Sequence, residues 1–200
     1  MTEPLPPGIH AVAPGDLATV VTHLELSEAP APRPVPDLPD LSLRRVMEPA
    51  TDWYRALFAR VGREWLWQSR LAMEEDALRA ILEDPSVEVF ALMRGEREEG
   101  LLELDFRELP DAKLAYFGVT RPLQGTGAAR WMMNEALARA FARPLKRLWI
   151  HTCTLDHPAA LAFYRRTGFR PYAQEVEVMR DPRLAGTLDR AHGAHIPIFE

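Results

Sequence analysis

The chain has 200 residues, 47% of them hydrophobic, which is enough for one sizeable core and short for two domains. Its formal net charge of -5 and isoelectric point near 5.7 argue against a general nucleic-acid surface. One cysteine, Cys153, cannot form an internal disulfide, no apolar run is long enough to span a bilayer, and Met1 to His10 lacks a basic start and an apolar core. The expectation is a cytoplasmic protein, 1–200 as one domain, with neither nucleic-acid nor membrane partners.

Asp16 to Leu26, rich in Val and Thr, predicts a first strand. Proline then takes over: half of the 18 prolines lie in the first 39 residues. The run Pro30, Pro32, Pro34, Pro36, Pro39 denies the backbone both helix and central strand, so 29–40 reads as a surface loop in polyproline II form. As a proline-motif ligand it would have only Arg33 for a basic anchor. Leu41 to Met47 is a further strand candidate. Asp52 to Val61 reads as a helix, with Trp53, Leu57 and Val61 at spacing four. After Trp65-Leu66-Trp67, a second helix over Glu74 to Leu82 turns Leu78, Ile81 and Leu82 inward and closes at Asp84-Pro85.

Val87 to Met93 reads as a buried strand ending in a turn at Arg94-Gly95. Leu101 to Arg107 alternates, with Leu102, Leu104 and Phe106 on one face and Glu103 and Asp105 on the other. Leu114 to Val119 pairs next. A helix then carries Ala129, Met133, Ala136 or Leu137, and Ala140 on one face and Arg130, Asn134, Arg139 and Arg143 on the other, and Pro144 closes it. From Leu148 follow a strand, a turn at Asp156-His157-Pro158, a short helix through Tyr164 to Gly168-Phe169, and a last strand. This order implies an α/β protein with a mixed sheet.

The chemistry concentrates between Phe117 and Ala129, where a strand ends in a glycine-paired loop that opens a helix. The first turn of a helix has amides without intrahelical partners and roughly half a positive charge from the macrodipole, so an anion docks there. Gly125 and Gly127 let it approach, Ala128 and Ala129 keep the turn bare, and phosphate oxygens can reach the amides of residues 125 to 130. A Walker loop is excluded because no Gly-x-x-x-x-Gly-Lys-Ser/Thr string exists. A Rossmann fingerprint from Gly125 meets bulky Arg130 where close packing wants a small residue, and Arg121 to Gln124 separate it from its strand.

Together, Gln124-Gly125-Thr126-Gly127-Ala128-Ala129 and the block His157, Ala160, Tyr164, Gly168, Phe169 resemble the motifs of the GNAT superfamily of acyl-CoA-dependent N-acetyltransferases over roughly residues 87 to 180. His157 stands where that family usually has asparagine. The resemblance implies a mostly antiparallel central sheet flanked by helices and splayed at the acyl-CoA site, between strands ending at Val119 and Thr152. It implies that Phe117, Gly118 and Val119 offer backbone groups to the pantetheine, and that Gln124, Gly125, Thr126, Gly127, Ala128, Ala129, Arg130 and His157 hold the remainder of acetyl-CoA. The acceptor it implies is an amine, of a small molecule or a peptide.

An ammonium near pKa 10.4 must lose a proton before it attacks a thioester. In the resemblance, Glu103 and Asp105 lie on a strand lining the acceptor pocket; Glu103 is the preferred base, directly or through water, and two solvent-facing carboxylates are the alternative. Tyr164 is the expected proton donor to the departing thiolate, or else a packing tyrosine beside Phe163. No metal is expected, since His151, Cys153 and His157 lack the further ligands of a closed site. Cys153 reads as a buried small residue rather than an acyl carrier. The tail from Asp181 to Glu200 lies beyond the family core; covering the pocket and a homodimer contact are both open to it. A non-catalytic acyl-CoA sensor and a nicotinamide-dependent oxidoreductase are the rival functions.

Overall fold

The structure, a computed structural model, describes residues 4–200. Eleven elements follow in order: β1 (Asp16–Leu26), β2 (Leu41–Val46), α1 (Thr51–Gly62), α2 (Glu75–Leu82), β3 (Val87–Arg94), β4 (Arg97–Asp105), β5 (Asp111–Val119), α3 (Ala128–Ala140), β6 (Arg147–Cys153), α4 (Ala160–Thr167) and β7 (Arg170–Arg180). Two strands start earlier than periodicity alone predicts. β4 begins at Arg97 because its hairpin with β3 zips up to the Arg94–Arg97 pair, and β5 begins at Asp111 because Asp111 to Lys113 pair with β6. On α1 the buried stripe is Tyr54, Leu57, Phe58 and Val61, while Trp53 packs half-buried at its margin and donates its indole N–H to Glu98 at 2.8 Å.

The seven strands form one sheet in the order β2-β3-β4-β5-β6-β1-β7, antiparallel everywhere except between β5 and β6. The mixed, mostly antiparallel sheet flanked by helices is therefore as expected. The N-terminal strand β1 lies in the middle of the second half, paired to β6 on one side and β7 on the other, which leaves β7 as an edge strand. One face of the sheet packs Leu24, Leu102, Leu104, Leu114 and Ile150 against α3 and α4. The other packs Val87, Val89, Ala91, Met93 and Leu101 against α1 and α2. Burying both faces makes β3, apolar from Val87 to Met93 apart from Glu88, read as a near-continuous apolar run rather than a clean alternation.

The parallel pairing of β5 with β6 ends after Lys113 and Trp149. Just beyond, the β4–β5 register slips: Glu103 faces Tyr116 and Leu104 faces Leu114, so Ala115 is an extra residue without an opposite. Such a bulge bends its strand and raises the local twist. β5 and β6 thus part company, and the predicted splay is present.

The segment after β7 folds back around Arg183, whose side chain is 1% exposed. Its guanidinium pairs with Asp181 at 2.8 Å and donates to the carbonyls of Gly193 and Ile196. Leu188 and Ile196 of this tail pack with Leu17, Leu66 and Leu155.

Candidate functional site

A cavity of about 930 Å³ opens between the diverging ends of β5 and β6, in the size range of small-molecule sites. Beyond its bulge, β5 alternates normally. Phe117 and Val119 join the core under α3, whereas Tyr116 packs with the α1 cluster and Gly118 lies against Val61 and Trp67. A Cβ on Gly118 would stand 2.6 Å from Val61 Cγ1, so only glycine lets α1 and the Trp67 ring come this close. The cavity therefore reaches both sides of the sheet, with Gly125, Gly127, Ala129 and Tyr164 at one end and Trp67, Ser69, Tyr116 and Met179 at the other.

The glycine loop has the geometry of an anion cradle. Gly125 at φ 76° and Gly127 at φ 96° occupy the left-handed region, turning the chain so that α3 starts at the cavity. The first bond into α3 is Trp131 N–H to Gly127 C=O at 3.0 Å. Among the described residues the amides of Gly125, Gly127, Ala129 and Arg130 have no hydrogen-bond acceptor. Thr126 and Ala128 serve the loop instead of lining the cavity: the Ala128 amide donates to Thr126 Oγ1 at 3.3 Å, and that hydroxyl donates to Leu123 C=O at 2.8 Å. Arg130 lines the cavity while its guanidinium donates to Pro34 C=O at 2.7 Å. Gln124 lines the cavity as expected.

Tyr164 lies on α4, buried among Phe117, Phe163 and Phe169. Burial, with Asp156 adding to it, raises its hydroxyl far above the usual tyrosine range, so it stays protonated at neutral pH. Among the described residues that hydroxyl has no hydrogen-bond partner, and the residue lines the cavity. It is a donor without an acceptor. His157 also lines the cavity; its Nδ1 accepts the Ala159 amide at 3.0 Å, closing the turn into α4. Asp156 is held by the Trp67 indole at 2.9 Å, Thr152 Oγ1 at 2.7 Å and the Cys153 amide at 3.0 Å. Burial and that carboxylate push the Cys153 thiol up, so it is protonated and a poor nucleophile.

The expected base does not reach the cavity. Glu103 is 0% exposed and is not part of the cavity wall. Its two oxygens accept from Arg70 and from the Tyr54 hydroxyl, and Arg70 lies 5.1 Å from the Tyr116 ring centroid. Burial opposes charge on Arg70, yet Glu103 together with Tyr116 and Tyr54 more than offsets this and raises its pKa. Burial and the Glu103 charge raise the Tyr54 hydroxyl well above its usual range. In this position the carboxylate is the counter-ion of Arg70, for a physical reason: it is shut off from solvent under α1, and each of its oxygens accepts from one buried donor. Asp105, at the strand end, pairs with Arg107 at 2.6 Å and is likewise outside the cavity. Although partial burial opposes it, hydrogen bonds from Arg107 hold the Asp105 carboxyl below the usual carboxylate range.

Sequence reasoning overlooked Tyr116, Ser69, Lys113 and Arg33 as cavity residues. Strand alternation around Phe117 could have found Tyr116. Ser69, whose hydroxyl lies 2.6 Å from that of Tyr116, sits in an irregular stretch with no pattern to read.

A cavity through a splayed sheet, with a bare helix start at one end and a free phenol beside it, is the site of an acyltransferase fold. The chain belongs to the Acetyltransferase (GNAT) family, whose profile it matches over residues 47–169, a family that uses acyl-CoA. No curated protein matches it. Among solved structures, a conserved Staphylococcus epidermidis protein of unknown function superposes with TM-score 0.59 at 12% identity, over 84% of this chain and 63% of its own. A GCN5-related N-acetyltransferase from Sphaerobacter thermophilus gives 0.57 at 18% identity, over 85% of this chain and 53% of its own. An aminoglycoside acetyltransferase from an uncultured soil metagenomic sample, in complex with trehalose, gives 0.53 at 17%, over 64% and 88%. At these identities the likeness establishes the fold, and the chain spans less than two thirds of the length of the first two.

Proposed function

We propose that the protein is an acyl-CoA-dependent N-acetyltransferase that moves an acetyl group from acetyl-CoA to a primary amine by direct attack in a ternary complex. The observation that carries this reading is one cavity that joins four loop amides, without acceptors among the described residues, to an aromatic chamber on the opposite side of the sheet. The donor's pyrophosphate takes the amides of Gly125, Gly127, Ala129 and Arg130. Its pantetheine follows β5 beside Phe117 to Val119, where β6 has withdrawn and the strand edge is free. The acceptor amine, of a small molecule or a peptide, enters by Trp67, Ser69 and Tyr116.

The amine lone pair attacks the thioester carbonyl, and the C–S bond breaks as the tetrahedral intermediate collapses. Tyr164 donates its proton to the leaving sulfur and regains one from the amine nitrogen through cavity water, so an amide and free thiol result. Assigning the relay to water follows from Glu103, which is not part of the cavity wall and is engaged by Arg70 and Tyr54. A covalent route through Cys153 is disfavoured by its protonated thiol.

The test is calorimetry with acetyl-CoA, CoA and NADH, followed by thiol release across a panel of amines. Acetyl-CoA binding with amine-dependent thiol release is the expected result. Binding without release under any amine would make the protein a sensor, and failure of every CoA ligand to bind would overturn the reading.

A further inference from the structure

The proline segment is built into this cavity. From Pro30 to Pro36 every second residue is proline, so only Ala31, Arg33 and Val35 carry amide donors, and a chain without a strand partner leaves few groups unsatisfied. Arg33 is fastened to α3 by both its backbone groups: its amide donates to Asn134 Oδ1 at 3.1 Å and its carbonyl accepts from Asn134 Nδ2 at 2.8 Å. The next carbonyl, that of Pro34, accepts from the Arg130 guanidinium. At its ends the segment meets the two glycines that begin α3 and end α4. A Cβ on Gly127 would stand 2.7 Å from Pro36 Cδ, and one on Gly168 would stand 3.7 Å from Pro30 Cβ. The strap therefore bridges the two helices that flank the nucleotide end of the cavity.

Bound in this way, the strap brings Arg33 into the cavity wall, where Arg166 from the last turn of α4 also stands. Among the described residues neither guanidinium has an acidic partner. Asn134 lies one helical turn beyond Arg130, about 6 Å farther along α3 than the amides that receive a pyrophosphate. The second anionic group of a CoA thioester, the phosphate on its ribose, follows the pyrophosphate outward.

We propose that Arg33, carried by the proline strap into the cavity that Arg166 also lines, binds the ribose 3′-phosphate of the donor and selects CoA thioesters over thioesters that lack this phosphate. This rests on the acyl-CoA reading above. Arg33 is a binding residue remote from the acyl transfer, and Asn134 is its positioning residue.

The experiment is calorimetry of CoA and dephospho-CoA with the wild-type chain, Arg33→Ala, Arg33→Lys and Asn134→Ala, together with steady-state kinetics. Wild type is expected to prefer CoA by about tenfold or more, the scale of a charge-assisted contact. Arg33→Ala should lose that preference while binding dephospho-CoA as wild type does, Arg33→Lys should restore part of it, and Asn134→Ala should weaken it. KM for acetyl-CoA should rise with kcat unchanged. Equal binding of both ligands by wild type, or an Arg33→Ala chain that keeps the preference, would overturn the proposal. So would equal loss of both ligands, which would mean a contact to the pyrophosphate or a collapsed strap. Failure of wild type to bind either ligand would instead overturn the acyl-CoA reading itself.

Discussion

Glu103→Gln separates a structural carboxylate from a catalytic one. The substitution keeps the shape of the side chain and removes its charge, leaving Arg70, 7% exposed, without its counter-ion. Breaking a buried ion pair from one side costs about 3–5 kcal/mol, because a desolvated charge remains. The total stability of a folded domain is on the order of 5–15 kcal/mol, so the loss takes a large fraction of it. At roughly 2–4 °C per kcal/mol, Tm should fall by about 6–20 °C. Urea titration followed by tryptophan fluorescence measures the loss directly. The double variant Glu103→Leu with Arg70→Met should recover most of it, since an apolar pair of similar volume replaces the ions without an orphaned charge. Well below its melting transition the Gln variant should retain most of its acyl-transfer rate at saturating substrates. A Gln variant within about 1 kcal/mol of wild type whose kcat fell by the ~10²-fold or more of a lost general base would refute this and return Glu103 to the proton transfer.

Three further expectations concern the cavity. Tyr164→Phe should lower kcat by about 10²- to 10⁴-fold with little change in KM for acetyl-CoA; its hydroxyl has no protein partner among the described residues, so a large fall in Tm would argue for a packing role instead. Gly127→Ala puts a side chain at φ 96° and drives its Cβ toward Pro36, which should cost roughly 1–2 kcal/mol and weaken CoA binding in calorimetry; unchanged affinity would exclude this loop as the anion site. His151 borders the cavity and keeps an exposed surface, yet desolvation of its ring, Lys113 and His23 lower its pKa from 6.5 to about 4, against the opposing charge of Asp156. Between those two values the unfolded chain binds a proton that the folded chain does not, so this contribution to stability is present above pH 6.5 and is lost as pH falls toward 4. Urea midpoints measured across that interval should fall less steeply for His151→Gln than for wild type, and identical slopes would mean that the imidazole titrates freely.

Much of the chain is legible locally because its determinants are local. The glycines at 125 and 127 announce a turn that other residues resist, the small residues after them announce a helix with a bare start, and the apolar spacing of α3 survives in the structure as Met133, Ala136, Leu137 and Ala140. With the block from His157 to Phe169 these were enough to reach the family. What the sequence leaves open is partnership across long stretches of chain. β1 was predicted as a strand, but its insertion between β6 and β7 depends on backbone pairing with residues more than a hundred positions away. The family resemblance points to Glu103 as the base because its strand lines the acceptor pocket there; its partners here are Arg70 and Tyr54, 33 and 49 residues distant, which meet it only in the folded chain. The proline strap had no visible purpose until Asn134, 101 residues on, fastened Arg33 beside the cavity. Backbone conformation is set by neighbours in sequence, whereas the protonation and partners of a buried charge are set by whatever the fold brings against it.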